Sequence, residues 1–316
     1  MLIWLIVSFA SANAFAASED ARHAAITRAL DFLYRSASDD TVFSRHGFDL
    51  LWAFDSIAHT ARDRRLRQSA ARDGRELALR WRKSHQHVPD AAGPEDIYQL
   101  VMGACAADHL GVRDAEFKAE LLHVAGKFSA KDYLGFDAAH EPPRLDDPRR
   151  YDVWSGALIK SYVGDACGVT LGVHYRDVFQ WLPRLRSYDG HDDDLEFDVF
   201  YAITHVIYTL NHYNERRIAG SLLPDEIAFL RRKLKAAIAD EDPEMVGEAL
   251  DCLKAAGYER DPQVEEGVKF LIATQQPDGA WAENDDGGYT AYHSAWTGLD
   301  GLRDYHFHGK VKRLPN

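Results

Sequence analysis

Two segments of the chain carry an imidazole in the same setting. Thr204-His205-Val206-Ile207-Tyr208-Thr209 aligns with Tyr292-His293-Ser294-Ala295-Trp296-Thr297, which places His205 and His293 at one level if both segments are helices. Between them, Leu250-Asp251-Cys252-Leu253 matches Leu299-Asp300-Gly301-Leu302 and brings Glu244 to that level. Two imidazoles and a carboxylate converging from neighbouring helices make a divalent metal site. The set suits zinc or non-haem iron, with positions left open for water and substrate. Aligning Trp52 on Trp296 adds Asp49, and matches through Gly111 and Gly164 add Tyr98 and Tyr151. Asp49 would be a fourth ligand or would orient an imidazole from behind. The alternative is that both histidines are satisfied core residues while Glu244 and Asp49 complement the positive ends of helices.

A second pattern crosses the first. Asp198, Tyr201, His205, Tyr208 and His212 recur at spacings of three, four, three and four, one polar and aromatic stripe about four turns long. On a buried helix such a stripe faces a cavity, where Asp198 and Tyr201 would act as proton donors or substrate contacts beside Tyr98 and Tyr151. His212 lies too far along to share a metal with His205 and is read as structural, paired with Asp300. Asp49, Asp96, Asp152 and Asp198 each fall near an expected helix start, where a carboxylate is stabilising by about 0.3 to 1 kcal/mol. Their other role would be an acidic mouth lined with aromatic rings, which suits a cation or a carbocation-like substrate. His191-Asp192-Asp193-Asp194 reads as a solvated loop.

The elements that must position these groups are helices. Apolar spacing from Ser18 onward is helical, as in Ala29, Leu30, Leu33 or Phe229, Leu230, Leu234, and no sustained alternation marks a strand. Gly93-Pro94, Pro142-Pro143, Asp189-Gly190, Asp242-Pro243 and Gly287-Gly288 punctuate the runs. The pairing is 20–37 with 46–63, 65–84 with 94–111, 114–128 with 151–164, 174–187 with 195–213, 223–238 with 243–256, and 261–275 with 290–306. The first member of each pair has a charged face and the second is apolar on more sides. The fold class expected is therefore all-α: a single (α/α)6 toroid over residues 17–316, its second members forming the inner barrel. A curved helical solenoid is the alternative.

One segment carries a family resemblance. Lys269-Phe270-Leu271, Gln275 and Asp278-Gly279-Ala280-Trp281 resemble the QW repeat of squalene-hopene cyclases. Tyr292 to Leu302 resembles the helix that follows it in the terpenoid-cyclase and protein-prenyltransferase toroids. The resemblance covers about forty residues and implies the toroid, with His293 at the position of a zinc ligand in the prenyltransferases. The Asp-x-Cys that supplies other ligands in that family is missing from the preceding inner helix, so prenyl transfer to a protein thiol is not implied.

Residues 1–16 contain no charged side chain; an apolar run from Leu2 to Ala10 is followed by Ala14-Phe15-Ala16. This reads as a secretory signal with an A-x-A cleavage site and implies a periplasmic or secreted protein, with no membrane insertion once the signal is removed. A net charge of −13 without a basic tract excludes nucleic acid as a partner. The three cysteines are too few for a disulfide framework. Cys105 and Cys252 fall on opposite sides of the ring, and Cys167 is expected free in a loop. The function expected is that of an exported metal-dependent enzyme acting on a small molecule or peptide in the central cavity. The alternatives are a metal-free acid–base isomerase, cyclase or lyase for a terpenoid, alkenol or glycan, and a non-enzymatic peptide or sugar binder.

Overall fold

The structure, a computed structural model, describes residues 2–186, 188, 193–283 and 288–315, with side chains from Glu19 onward apart from 193–195. The side chains of residues 1–16, read from the sequence as a signal, and the stretch around His191 and Asp192 thus lie outside the described residues. The chain is all-helical. Its long helices are α1 (Leu2–Ser38), α2 (Asp40–Thr60), α3 (Arg64–Ser84), α4 (Pro94–His109), α5 (Ala115–Ala125) and α7 (Arg150–Cys167), with the short α6 (Ala130–Leu134) between the last two. After the short α8 (Tyr175–Phe179) and α9 (Leu182–Leu185) come α10 (Asp193–Leu210), α11 (Pro224–Ala239), α12 (Pro243–Ala255), α13 (Pro262–Thr274) and α14 (Tyr289–Leu302). Two three-residue strands, β1 (Arg216–Ile218) and β2 (Gly309–Val311), pair in parallel, Arg216 opposite Gly309. Among the described residues no helix is long and apolar enough to cross a membrane.

Helix starts follow one local rule. Asp39, Asp63, Asp114, Asp242 and Asp261 each cap a helix by accepting a backbone N–H of its first turn, and α4, α11, α12 and α13 carry proline there. Packing then sorts the helices into two sets. The second members contact one another in cyclic order: α2 with α4, α4 with α7, α7 with α10, α10 with α12, α12 with α14, and α14 back to α2. The first members lie outside, α3 on α2 and α4, α11 on α12, and α13 on α12 and α14. The core follows this division, since Leu50, Leu51, Phe54, Ile97, Trp154, Phe200 and Leu250 on the cyclic set are all buried.

The structure corrects several expectations. The helix expected over 174–187 is two short pieces, and the third outer position holds α5 together with α6. Because α2 begins at Asp40, Asp49 sits mid-helix and is no helix-start complement. Cys167 is not free: it forms a disulfide with Cys105 that ties α4 to α7, leaving Cys252 as the free, buried thiol. His212 lies past the end of α10 at φ +56° with its ring against Tyr162, while Asp300 pairs with Arg303.

Candidate metal and acid–base site

A close approach of two of these helices sets up the site. A Cβ on Gly247 would lie 2.6 Å from the carbonyl oxygen of Thr297, and one on Gly301 would lie 2.9 Å from the Cα of Gly247. The glycines let the α12 and α14 backbones touch, which carries the first turns of α12 against His293. Glu244 and Glu248, one turn apart on α12, therefore share a face with His293 of α14. One ligand atom from each of Glu244, Glu248 and His293 lies within 4.8 Å of the others.

Glu244 is the hub. Its Oε1 accepts a hydrogen bond from His293 Nδ1 at 3.0 Å and another from the Tyr201 hydroxyl. Burial opposes its ionisation, but His293 and the two hydrogen bonds outweigh that and hold its pKa below the ordinary carboxylate value. Glu248 is buried, and its Oε2 has no hydrogen-bond partner among the described residues. Burial pushes its pKa up to about 7. For His293, burial disfavours the charged form, yet Glu244, Glu248 and Asp49 together raise its pKa. Its ring stacks on Tyr289 at 4.9 Å.

His205 occupies the same cavity in another role. Its Nδ1 lies 2.7 Å from the Tyr201 carbonyl, which can only accept, so Nδ1 carries the proton and Nε2 keeps its lone pair. Burial lowers its pKa to about 4, so the imidazole is neutral near neutrality. Asp49 accepts from the Tyr292 hydroxyl at 2.9 Å, and burial raises its pKa against the opposing pull of His293. Among the described residues Tyr98 donates to the Met102 sulfur, at 3.5 Å, a weak acceptor.

These groups face a cavity of about 280 Å³ lined by residues of α2, α4, α7, α10, α12 and α14. Of the residues expected from sequence, Asp49, Tyr98, His205 and His293 line it. Glu244 and Tyr201 adjoin it through their bonds to His293 and to each other. Tyr151 does not: it is buried, with its hydroxyl on the Leu185 carbonyl. Asp198 is half-buried on α10 and is not part of the cavity wall. Of the expected trio His205, Glu244 and His293, the last two converge together with Glu248, while His205 lines the same cavity outside that cluster. Its signal was present in the sequence as Glu244, Glu248 and Asp251, an acidic stripe at spacings of four and three on a helix whose only other charged residue is Lys254.

No protein-family model matches the chain, and no curated protein or solved structure is significantly similar to it. The resemblance to terpenoid-cyclase toroids therefore rests on the residues of the last hairpin alone.

Proposed function

We propose that this is an exported enzyme whose cavity binds a divalent metal, zinc or iron, through Glu244, Glu248 and His293. The observation that carries the reading is Glu248 Oε2, a buried carboxylate oxygen without a partner, set beside a second carboxylate with one imidazole between them. A buried and a half-buried carboxylate against one imidazole leave negative charge uncompensated when both are ionised, which is costly unless a cation neutralises it. The donor set also fits, since oxygen and imidazole ligands serve both zinc and non-haem iron. Bound there, the ion would polarise a substrate oxygen or lower the pKa of a water. His205 Nε2, on a neutral imidazole, would accept a hydrogen bond from that water or a substrate hydroxyl, Tyr201 would hold the orientation of Glu244, and Tyr292 that of Asp49. The cyclic packing supports the (α/α)6 toroid reading, and the Cys105–Cys167 disulfide supports export, because such bonds persist in oxidising compartments.

Metal analysis after loading with zinc or iron(II) tests the proposal. Wild type should retain about one ion per chain. Glu248→Gln and His293→Ala should lose it, while His205→Ala should keep it. Wild type without metal, or equal retention in all four proteins, would overturn the reading.

A second reading has its own observation. Glu244 is held ionised while Glu248 titrates near 7, and two carboxylates pushed apart in this way can serve as base and acid without metal. Activity that survives exhaustive chelation would favour it.

A further inference from the structure

We infer that the cavity takes a neutral, polyhydroxylated ring, a sugar, as its substrate; this deepens the proposed function and rests on the same site. Charge comes first. The wall contains Asp49, Glu248, Asp251 and Asp300 but no lysine or arginine among its described residues, so it offers a phosphate or carboxylate no counter-charge. Cations are disfavoured for a different reason. Three of those four carboxylates are already engaged: Asp49 by Tyr292, Asp251 by Asn214 at 3.0 Å, and Asp300 by Arg303. The fourth belongs to the metal set.

The polar groups that remain want oxygen atoms. Trp296 lines the cavity, and its buried Nε1–H has no acceptor among the described residues. Against a hydrocarbon that donor stays unsatisfied, whereas a hydroxyl or ring oxygen seated at the indole edge would complete it. These groups are also spread around the perimeter, with Tyr98 on α4, His205 on α10 and Trp296 on α14. A ligand with one polar head needs one polar pole, while a ring bearing hydroxyls on several carbons meets all of these directions. Between them stand flat aromatic faces, against which the C–H faces of a sugar ring pack. The volume of about 280 Å³ is near the lower bound for small-molecule sites and suits one or two such rings.

The test is a selectivity series on the full chain, metal-loaded and metal-depleted, read by isothermal calorimetry and by quenching of tryptophan fluorescence. The probes are glucose, galactose, N-acetylglucosamine, maltose and cellobiose as neutral sugars, glucuronate as an anion, glucosamine as a cation and cyclohexanol as an apolar alcohol. At least one neutral sugar should bind about tenfold or more tightly than glucuronate, glucosamine or cyclohexanol. Trp296→Phe, which keeps an aromatic face and removes the N–H, should weaken that sugar about tenfold while leaving metal retention unchanged. Tyr98→Phe serves as a second variant should the first fold poorly. Tighter binding of a charged probe or of cyclohexanol, or binding of no neutral sugar, overturns the sugar assignment. Metal content measured on the same samples separates the two readings. A chain that holds metal and no sugar loses only the substrate class, and one that holds sugar and no metal loses only the metal.

Discussion

Opening the Cys105–Cys167 bond should cost the fold a large part of its stability. The two cysteines are 62 residues apart in the chain, with Cα atoms 5.5 Å apart, within the ordinary span of a disulfide. Cross-linking a loop of that length removes chain entropy from the unfolded state worth about 4 kcal/mol at 25 °C. Domains are stable by only about 5 to 15 kcal/mol, so the bond decides whether the chain is robust or marginal. The perturbation is Cys105→Ala/Cys167→Ala, compared with wild type in urea. Its midpoint should fall by the equivalent of about 4 kcal/mol, or less if the open unfolded chain keeps residual structure. The dependence on urea should steepen, because an uncrosslinked unfolded chain exposes more surface. Thiol counting gives an independent check. Unreduced protein in denaturant should show one reactive thiol, Cys252, and reduced protein all three. Stability within about 1 kcal/mol of wild type would refute the loop-entropy argument, and three thiols without reduction would refute the bond itself.

Other perturbations probe the positioning of the site. Gly247→Ala places a methyl group against the Thr297 backbone, which cannot yield as a side chain would. It should destabilise by about 1 to 3 kcal/mol in urea melts and lower metal retention by moving α12 away from His293. Lys254→Met should cost about 3 to 5 kcal/mol, because the buried ammonium is bound by the carbonyls of Asp300, Gly301 and Arg303, and its loss also leaves Asp251 without its nearby cation. His59 is raised to about 9, chiefly by its hydrogen bond to Asp55, which also binds His109 at 2.8 Å. A raised histidine pKa stabilises fully below the ordinary value of about 6.5, and that contribution is lost as pH climbs through 9. With His59 half-exposed, the loss should be about 1 kcal/mol after solvent screening. Asp55→Asn should flatten that slope in urea melts between pH 6 and 10; an unchanged slope would discredit the assignment.

Much of the helical scaffold was legible because its signals are local. Aspartate caps, Pro at first turns and a 3.6-residue apolar period each act within one helix, so α3, α4, α11, α12 and α13 begin where those residues stand. The misreadings arose where local signals ran out. Helix α2 starts six residues before its expected beginning because Asp39 caps it through Thr41 and Val42. The 174–187 stretch breaks near Pro183, which lacks the N–H needed to continue a helix. The disulfide was missed because its geometry depends on how α4 lies beside α7, a tertiary fact without a spacing signature. At the site, aligning the helices found His293, Glu244, Asp49, Tyr98 and His205 at usable depth. It could not say which way each side chain turns at that depth. Tyr151 shares the level but is rotated onto Leu185, whereas Glu248, one turn deeper than Glu244, is rotated into the cavity.

The contrast between two neighbouring polar layers argues most strongly for a bound cation. In the lower layer Asp251 and Asp300 face Lys254 and Arg303, two carboxylates against two cations, with Asn214 and the Thr60 hydroxyl closing further bonds. Burial pushes Asp251 up and Lys254 down, but the layer balances internally, as a structural polar cluster must. In the upper layer Glu244, Glu248 and Asp49 meet His293, with His46 acting on Asp49, so three carboxylates face two imidazoles, and one oxygen of Glu248 has no hydrogen-bond partner among the described residues. Both layers draw on α12 and α14, and the same chain supplied Lys254 and Arg303 within about three turns below. If the upper layer served only to hold α12 against α14, a lysine or an apolar side chain in place of Glu248 would do so at lower cost. On the proposed reading the ion that enters the cavity would compensate this carboxylate, so Glu248→Gln should weaken metal retention while stabilising, or leaving unchanged, the metal-free fold.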